Sequence, residues 1–314
     1  MTIDTPPCSQ QSLDAGEPLF GTAPTETSCW VLLEEHGAWA PKPLDSPGLA
    51  GAWRAALTPW LARRPHTRFQ LVRGAVDDQA PAVSGARRLF IGVSDDTGSA
   101  LWELELDDAH GPAIVASLDL QLFRPGTPPP PPARLAAHPI VLVCTHGRRD
   151  ACCARLGVPV FRELEADFGA DRVWQTSHVG GHRFAANVVL LPHGYVFGRL
   201  DVAAARRVVR GYFAGRLTDL DRFRGRSPYP AEVQAAEFWL RQGGARYRVD
   251  GLELVRREVQ ADGRVEVTFK DTATDELHAL TIVREVTADL ASTSCGEAPE
   301  PVVRHRLESY RHHG

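Results

Sequence analysis

Five consecutive prolines, Pro128 to Pro132, preceded by Pro125-Gly126-Thr127, divide this chain. A run without backbone N–H groups can neither extend a helix nor serve a sheet ladder, and it favours extended polyproline II geometry. Residues 127–135 therefore read as a semi-rigid spacer between two folded halves. A length of 314 residues allows about two domains on size alone.

The order of local patterns is similar on both sides of the spacer. Before it, Cys29 to Glu35 reads as a strand, Leu49 to Arg63 has helical spacing, and Arg68 to Arg73, Arg87 to Val93 and Ala100 to Leu106 read as strands. The last two are joined by Ser94-Asp95-Asp96-Thr97-Gly98-Ser99, a hairpin turn by composition. After it, Pro139 to Val143 is a strand of buried type, Asp150 to Phe168 is helical, and Arg172 to Thr176 is a short strand. Phe184 to Leu191 and Tyr195 to Leu200 then form a hairpin, and Asp201 caps a helix through Phe213. Strand, helix, strand, strand, strand, helix is the order of a thioredoxin-like core, and the first half is a possible degenerate copy without a residue-level repeat.

The expected class is α/β (α+β). Its expected parts are an extended N-terminal arm (1–28), an N-terminal α/β domain (29–126), the spacer (127–135), a thioredoxin-like domain (136–216) and a helix and β-meander extension (217–314). In that extension Pro230 to Gln242 is an amphipathic helix, and Gly251 to Gln260, Arg264 to Lys270 and Leu277 to Arg284 alternate like a meander. His312-His313 reads as a disordered tail.

A net charge of −4 gives no global drive toward nucleic acid or an anionic membrane. No apolar run reaches the roughly 18 residues of a membrane span, and the first residues lack a signal-peptide pattern. A cytoplasmic protein is expected. Six unevenly spaced cysteines do not make a secreted disulfide framework, and Cys8, Cys29 and Cys295 have no partner by spacing.

The chemistry concentrates between Cys144 and His182. Cys144, Cys152, Cys153 and the histidines His146, His178 and His182 lie within forty residues. Thiolates select zinc, copper(I) or iron–sulfur centres, whereas imidazole suits zinc and iron. A loop leaving the strand at Cys144 can fold a second thiolate toward the first, with the N-terminus of the next helix adding positive potential. Gly180-Gly181 between the two later histidines disfavours a helix and favours a tight loop. The zinc-finger and Rieske spacings are absent, as is a Cys-x-x-Cys pair. Cys152 and Cys153 compete for one ligand position, and His146 is a less favoured ligand than a supporting residue. Arg148, Arg149 and Arg183 read either as solvated charges or as cations that raise a potential and receive an acidic partner.

Cys-Thr-His-Gly-x-Arg-Asp-x-Cys-Cys-Ala-x-x-Gly at 144–157 and Trp-Gln-Thr-Ser-His-Val-Gly-Gly-His-Arg-Phe-Ala-Ala-Asn-Val at 174–188 resemble the sucrase/ferredoxin-like family, a relative of thioredoxin-like [2Fe–2S] ferredoxins. Gly16-Glu17-Pro18-Leu19, Gly21-Thr22-Ala23-Pro24 and Arg224-Gly225-Arg226-Ser227 extend the resemblance. It implies a [2Fe–2S] cluster on Cys144, Cys153, His178 and His182, and an electron carrier working with a redox partner protein. Two histidines in place of cysteines imply a potential above that of four-Cys ferredoxins. Sucrase activity finds no support, since no carboxylate pair is marked as acid and nucleophile. The alternatives are a structural zinc module and a metal-free thiol oxidoreductase using Cys144 or the Cys152–Cys153 pair.

Overall fold

A computed structural model describes residues 6–49, 51–74, 86–244 and 247–313. In chain order its first elements are α1 (Cys8–Asp14), β1 (Cys29–Glu34), α2 (Ala52–Leu61), β2 (Thr67–Arg73), β3 (Ala86–Asp95), β4 (Gly98–Asp107), α3 (Gly111–Ser117), β5 (Arg134–Leu135), β6 (Ile140–Cys144), α4 (Ala151–Phe168) and β7 (Val173–Thr176). They are followed by β8 (Val188–Leu191), β9 (Tyr195–Phe197), α5 (Val202–Phe213), β10 (Phe223–Arg226), α6 (Ala231–Gly244), β11 (Leu252–Val259), β12 (Val265–Asp271), β13 (Leu277–Ser292) and β14 (Pro299–His313). The α/β class is as expected. Among the described residues no helix is long and apolar enough to cross a membrane.

Contacts divide the chain into two compact units. One comprises residues 26–179 and 189–194. Its strands lie in the order β8-β6-β7-β2-β1-β3-β4-β5. β1 runs parallel to β2 and antiparallel to β3, which forms a hairpin with β4 closed at Asp95 and Gly98. β6 runs parallel to β7 in the same way, and β8 follows on the far side of β6, so the order β2-β1-β3 recurs as β7-β6-β8. The two triplets meet where β2 pairs antiparallel with β7, Val72 opposite Thr176. The proline-rich segment 127–135, expected between two domains, lies inside this unit, and strands from before and after it share one sheet.

The apolar runs explain the burial. Cys29, Val31 and Leu33 point from β1 to a core with Trp53, Leu57 and Trp60 of α2 and Val115 of α3. Trp30 and Leu32, on the other face of β1, are buried as well, so that strand reads as a continuous apolar run. In β6 all five residues from Ile140 to Cys144 are buried for the same reason, with α4 packed over β6 and β7.

The other unit comprises residues 1–25, 180–188 and 195–314. Asp201 caps α5 by accepting from the Ala204 N–H at 2.8 Å. The expected meander is present as β11-β12-β13, but β13 runs on to Ser292, and β14 completes a four-stranded antiparallel sheet. His312 and His313 therefore belong to a strand paired with β13 and not to a loose tail. Val233, Ala236 and Leu240 of α6 pack on Val267, Phe269, Leu280 and Ile282 of that sheet.

The N-terminal arm is also more ordered than its composition suggests. Cys8–Asp14 is helical, and Glu17 is buried in a bidentate pair with Arg183, with Arg183 Nη2 2.8 Å from Glu17 Oε1. These contacts come from residues far apart in the chain, which local periodicity does not encode.

Candidate metal centre

Cys144 is the last residue of β6, and His178 lies two positions beyond the end of β7. Because these neighbouring strands are parallel, Cys144 standing opposite Thr176, both chains leave the sheet at the same edge. This is the edge at which open α/β sheets collect ligands. The chain leaving Cys144 enters α4, whose N-cap Asp150 accepts from the Cys152 N–H at 2.8 Å. Cys153 falls in the first turn of that helix, facing the positive end of its dipole.

These placements converge. One ligand atom each from Cys144, Cys153 and His178 lies within 4.8 Å of the other two, with both cysteines buried and His178 half-buried. Cys153 Sγ stands 3.8 Å from His178 Nδ1. Cys153 is thus the member of the vicinal pair that joins Cys144 and His178, while Cys152, also buried, is outside this group. His182 lies in the other unit, in a short 3-10 turn from His182 to Phe184, and is buried.

The electrostatics of the thiol pair are asymmetric. The Cys153 thiol donating to its sulfur, with His178 alongside, holds Cys144 well below the ordinary thiol range despite burial. The same Cys144 sulfur, together with burial, pushes Cys153 upward. The two thiols thus titrate as one coupled pair, sharing a proton that is held between the two sulfurs.

His178 is fixed through its main chain. Arg68 Nη2 and Gln70 Nε2 of β2 each donate to the His178 carbonyl at 3.2 Å. The His178 N–H donates to His146 Nδ1 at 3.2 Å, and burial pushes the His146 pKa down, so a neutral ring accepts this bond. Ser177 Oγ bonds Gln70 Oε1 and accepts from the Leu71 N–H. His146, edge-on to Trp39 at 5.8 Å, is thus a support for His178 and not a member of the ligand cluster. Arg68 also places a cation close enough to feel the charge of Cys144, while its own burial lowers its pKa. Neither Arg68 nor Gln70 stands out in the sequence. The one signal is that both polar side chains recur with period two on a strand.

Glycine supports both loops. A Cβ at Gly157 would fall inside contact distance of the Cys144 carbonyl oxygen, so only glycine lets α4 lie this close to the end of β6. Gly181, at φ 68°, is left-handed, a conformation that glycine adopts without strain.

The loop that carries His182 is held by the remaining motif residues. Arg224, fully buried, donates to the Gly180 carbonyl at 3.0 Å and Asn187 Oδ1 at 2.8 Å. It also donates to Thr22 Oγ1 at 3.1 Å and to the Thr22 carbonyl. Arg183 pairs with Glu17 and so is not a solvated charge. Arg148 and Arg149 are exposed. Cys8 and Cys295, without a mate by sequence spacing, have their sulfurs 3.5 Å apart.

The family model described as sucrase/ferredoxin-like matches residues 54–225. Altered inheritance of mitochondria protein 32 of Meyerozyma guilliermondii is similar to this chain, 32% identical over 99 residues, which cover 24% of this chain and 35% of that protein. The chain thus spans about a third of the length of that curated relative. No solved structure gives a significant match. Since the family match extends over more than half of its residues, the chain belongs to the sucrase/ferredoxin-like family.

Proposed function

We propose that this chain is an electron-transfer protein that holds a [2Fe–2S] cluster on Cys144, Cys153, His178 and His182. The observation that carries the reading is the buried approach of two thiols and one imidazole within 4.8 Å at the common edge of two parallel strands. His182 enters the set from the sequence, four residues beyond His178 in the family motif. Two thiolates and two imidazoles are donors that iron–sulfur centres accept. When bound, such a cluster supplies reversible one-electron transfer.

The residues of the chain tune that chemistry. The Arg68 guanidinium offsets negative charge at Cys144, and imidazole ligands bring less negative charge than thiolates, so both raise the potential. Arg68, Gln70 and His146 hold His178 by its main chain and limit its movement between redox states. Exposed Arg148 and Arg149, on the loop between Cys144 and Cys153, suit an acidic redox partner protein. The recurring order β2-β1-β3 and β7-β6-β8, with the first two strands of each set parallel, supports a thioredoxin-like ancestry for both halves.

Anaerobically purified protein is expected to contain iron and acid-labile sulfide in equal amounts, with visible charge-transfer absorption. Colourless protein retaining a zinc ion that Cys144→Ala releases would overturn the proposal in favour of a structural zinc module. His182→Cys is expected to retain a cluster at a lower potential with weaker pH dependence; an unchanged potential would remove His182 from the ligand set.

A further inference from the structure

The end of the β13–β14 ladder carries a second group of metal-capable side chains. Glu276 immediately precedes β13 and His278 is its second residue, so the two are separated by one position and share a face. His312 of β14 stands directly opposite His278 in the register, on that same face. Ligand atoms of Glu276, His278 and His312 all lie within 4.8 Å of one another. The two imidazole rings are stacked, with centroids 4.9 Å apart and planes 12° from parallel.

We propose that Glu276, His278 and His312 form a divalent zinc site, separate from the cysteine-containing centre. Imidazole and carboxylate together suit Zn²⁺, and two histidines with one glutamate form a recognised three-ligand set that leaves a fourth position for water. His312 Nε2 already lies 3.3 Å from Glu276 Oε2. That is the length of a ligand–ligand edge in a tetrahedral zinc site, about 3.3–3.5 Å from bond lengths near 2.1 Å. The register fixes the Cβ positions of His278 and His312, and convergence on one ion needs their stacked rings to rotate about their side-chain torsions.

The surroundings support the ligands in the way a metal site needs. Tyr310 Oη lies 2.9 Å from His278 Nδ1, and the tautomer that donates this bond carries its lone pair on Nε2. A hydrogen bond from the non-ligating nitrogen is the usual means of orienting a metal-bound histidine. Thr274 Oγ1 donates to Glu276 Oε2 at 3.0 Å. The same face of β13 carries Leu280 and Ile282 into the apolar core, so fully buried His278 stands where the face turns from apolar to polar. His312 and Glu276 are 43% and 35% exposed, which leaves a route for the ion from solvent.

The test uses the full chain, treated with a chelator and then titrated with Zn²⁺ by calorimetry and with Co²⁺ by absorption spectroscopy. Wild type is expected to bind one equivalent whose Co²⁺ spectrum lacks sulfur charge transfer, apart from an ion taken up by the cysteine centre. His312→Ala and Glu276→Gln, at partly exposed positions, are expected to abolish that equivalent with an unchanged circular dichroism spectrum. Cys144→Ala is expected to retain it. Tyr310→Phe is expected to weaken it about ten-fold, as loss of an orienting partner does. Absence of an oxygen- and nitrogen-ligated equivalent in wild type would overturn the assignment, and so would binding unaffected by His312→Ala. Since Cys144→Ala separates the two centres, failure here leaves the iron–sulfur reading standing, and the reverse also holds.

Discussion

At the scale of single residues, Arg68 and Gly157 contact the residues of the candidate centre: Arg68 the His178 carbonyl, Gly157 the Cys144 carbonyl. Arg68 brings positive charge to Cys144 and a hydrogen bond to the His178 carbonyl. Arg68→Leu is expected to lower the midpoint potential of the cluster in a redox titration at constant pH; an unchanged potential would mean that this charge is screened from the centre. Gly157→Ala forces a methyl group against the Cys144 carbonyl, and overpacking of this kind costs about 1–3 kcal/mol. Denaturant unfolding of that variant measures the cost. Gly157 was legible as a motif position, yet its reason was not, because the closeness of α4 to the end of β6 is a tertiary fact. Arg68 was illegible for a related cause. A charged residue in a strand reads as solvent-facing until the neighbouring strand is known, and here that neighbour is β7, which comes about a hundred residues later.

At the scale of elements, a helix start presents Cys153 and a clamped loop carries His182. Asp150 caps α4 at the turn that presents Cys153, and removal of such a cap costs about 1 kcal/mol. Asp150→Ala is expected to lower thermal stability by that amount, read as a shift in the unfolding midpoint. Arg224 clamps the His182 loop by donating to Gly180, Asn187 and Thr22, all within one unit. Charge-assisted hydrogen bonds contribute about 1.5–3 kcal/mol each. Arg224→Met is expected to cost at least one such bond, about 2 kcal/mol, and to raise hydrogen exchange at residues 180–187 above that of α5. Equal exchange in variant and wild type would show that the loop is held by something else. Helices with strong periodicity and an N-cap, α4 and α5, were readable in the sequence. The structured N-terminal arm was not, because Glu17 and Thr22 find their partners in Arg183 and Arg224, more than 160 positions away. β14 escaped for another reason: its mostly exposed residues carry no apolar alternation, and its partner β13 fixes it by register.

At the scale of the whole chain, parallel pairing of β6 with β7 makes two loops distant in sequence into neighbours. Cys144, Cys153 and His178 meet because their strands end at one edge. The proline run directed attention to a boundary at 127–135. Strand pairing between β2 and β7 brings both sides of that run into one unit, and no local composition rule reports a ladder bond between such distant segments. The central claim is that two cysteines and two histidines hold a [2Fe–2S] cluster. Its most direct measurement is electron–nuclear double resonance on the chemically reduced protein prepared with ¹⁵N-labelled histidine. The account requires strong hyperfine coupling to two histidine nitrogens, falling to one in His182→Cys. A reduced cluster with no strong histidine coupling would contradict the ligand assignment.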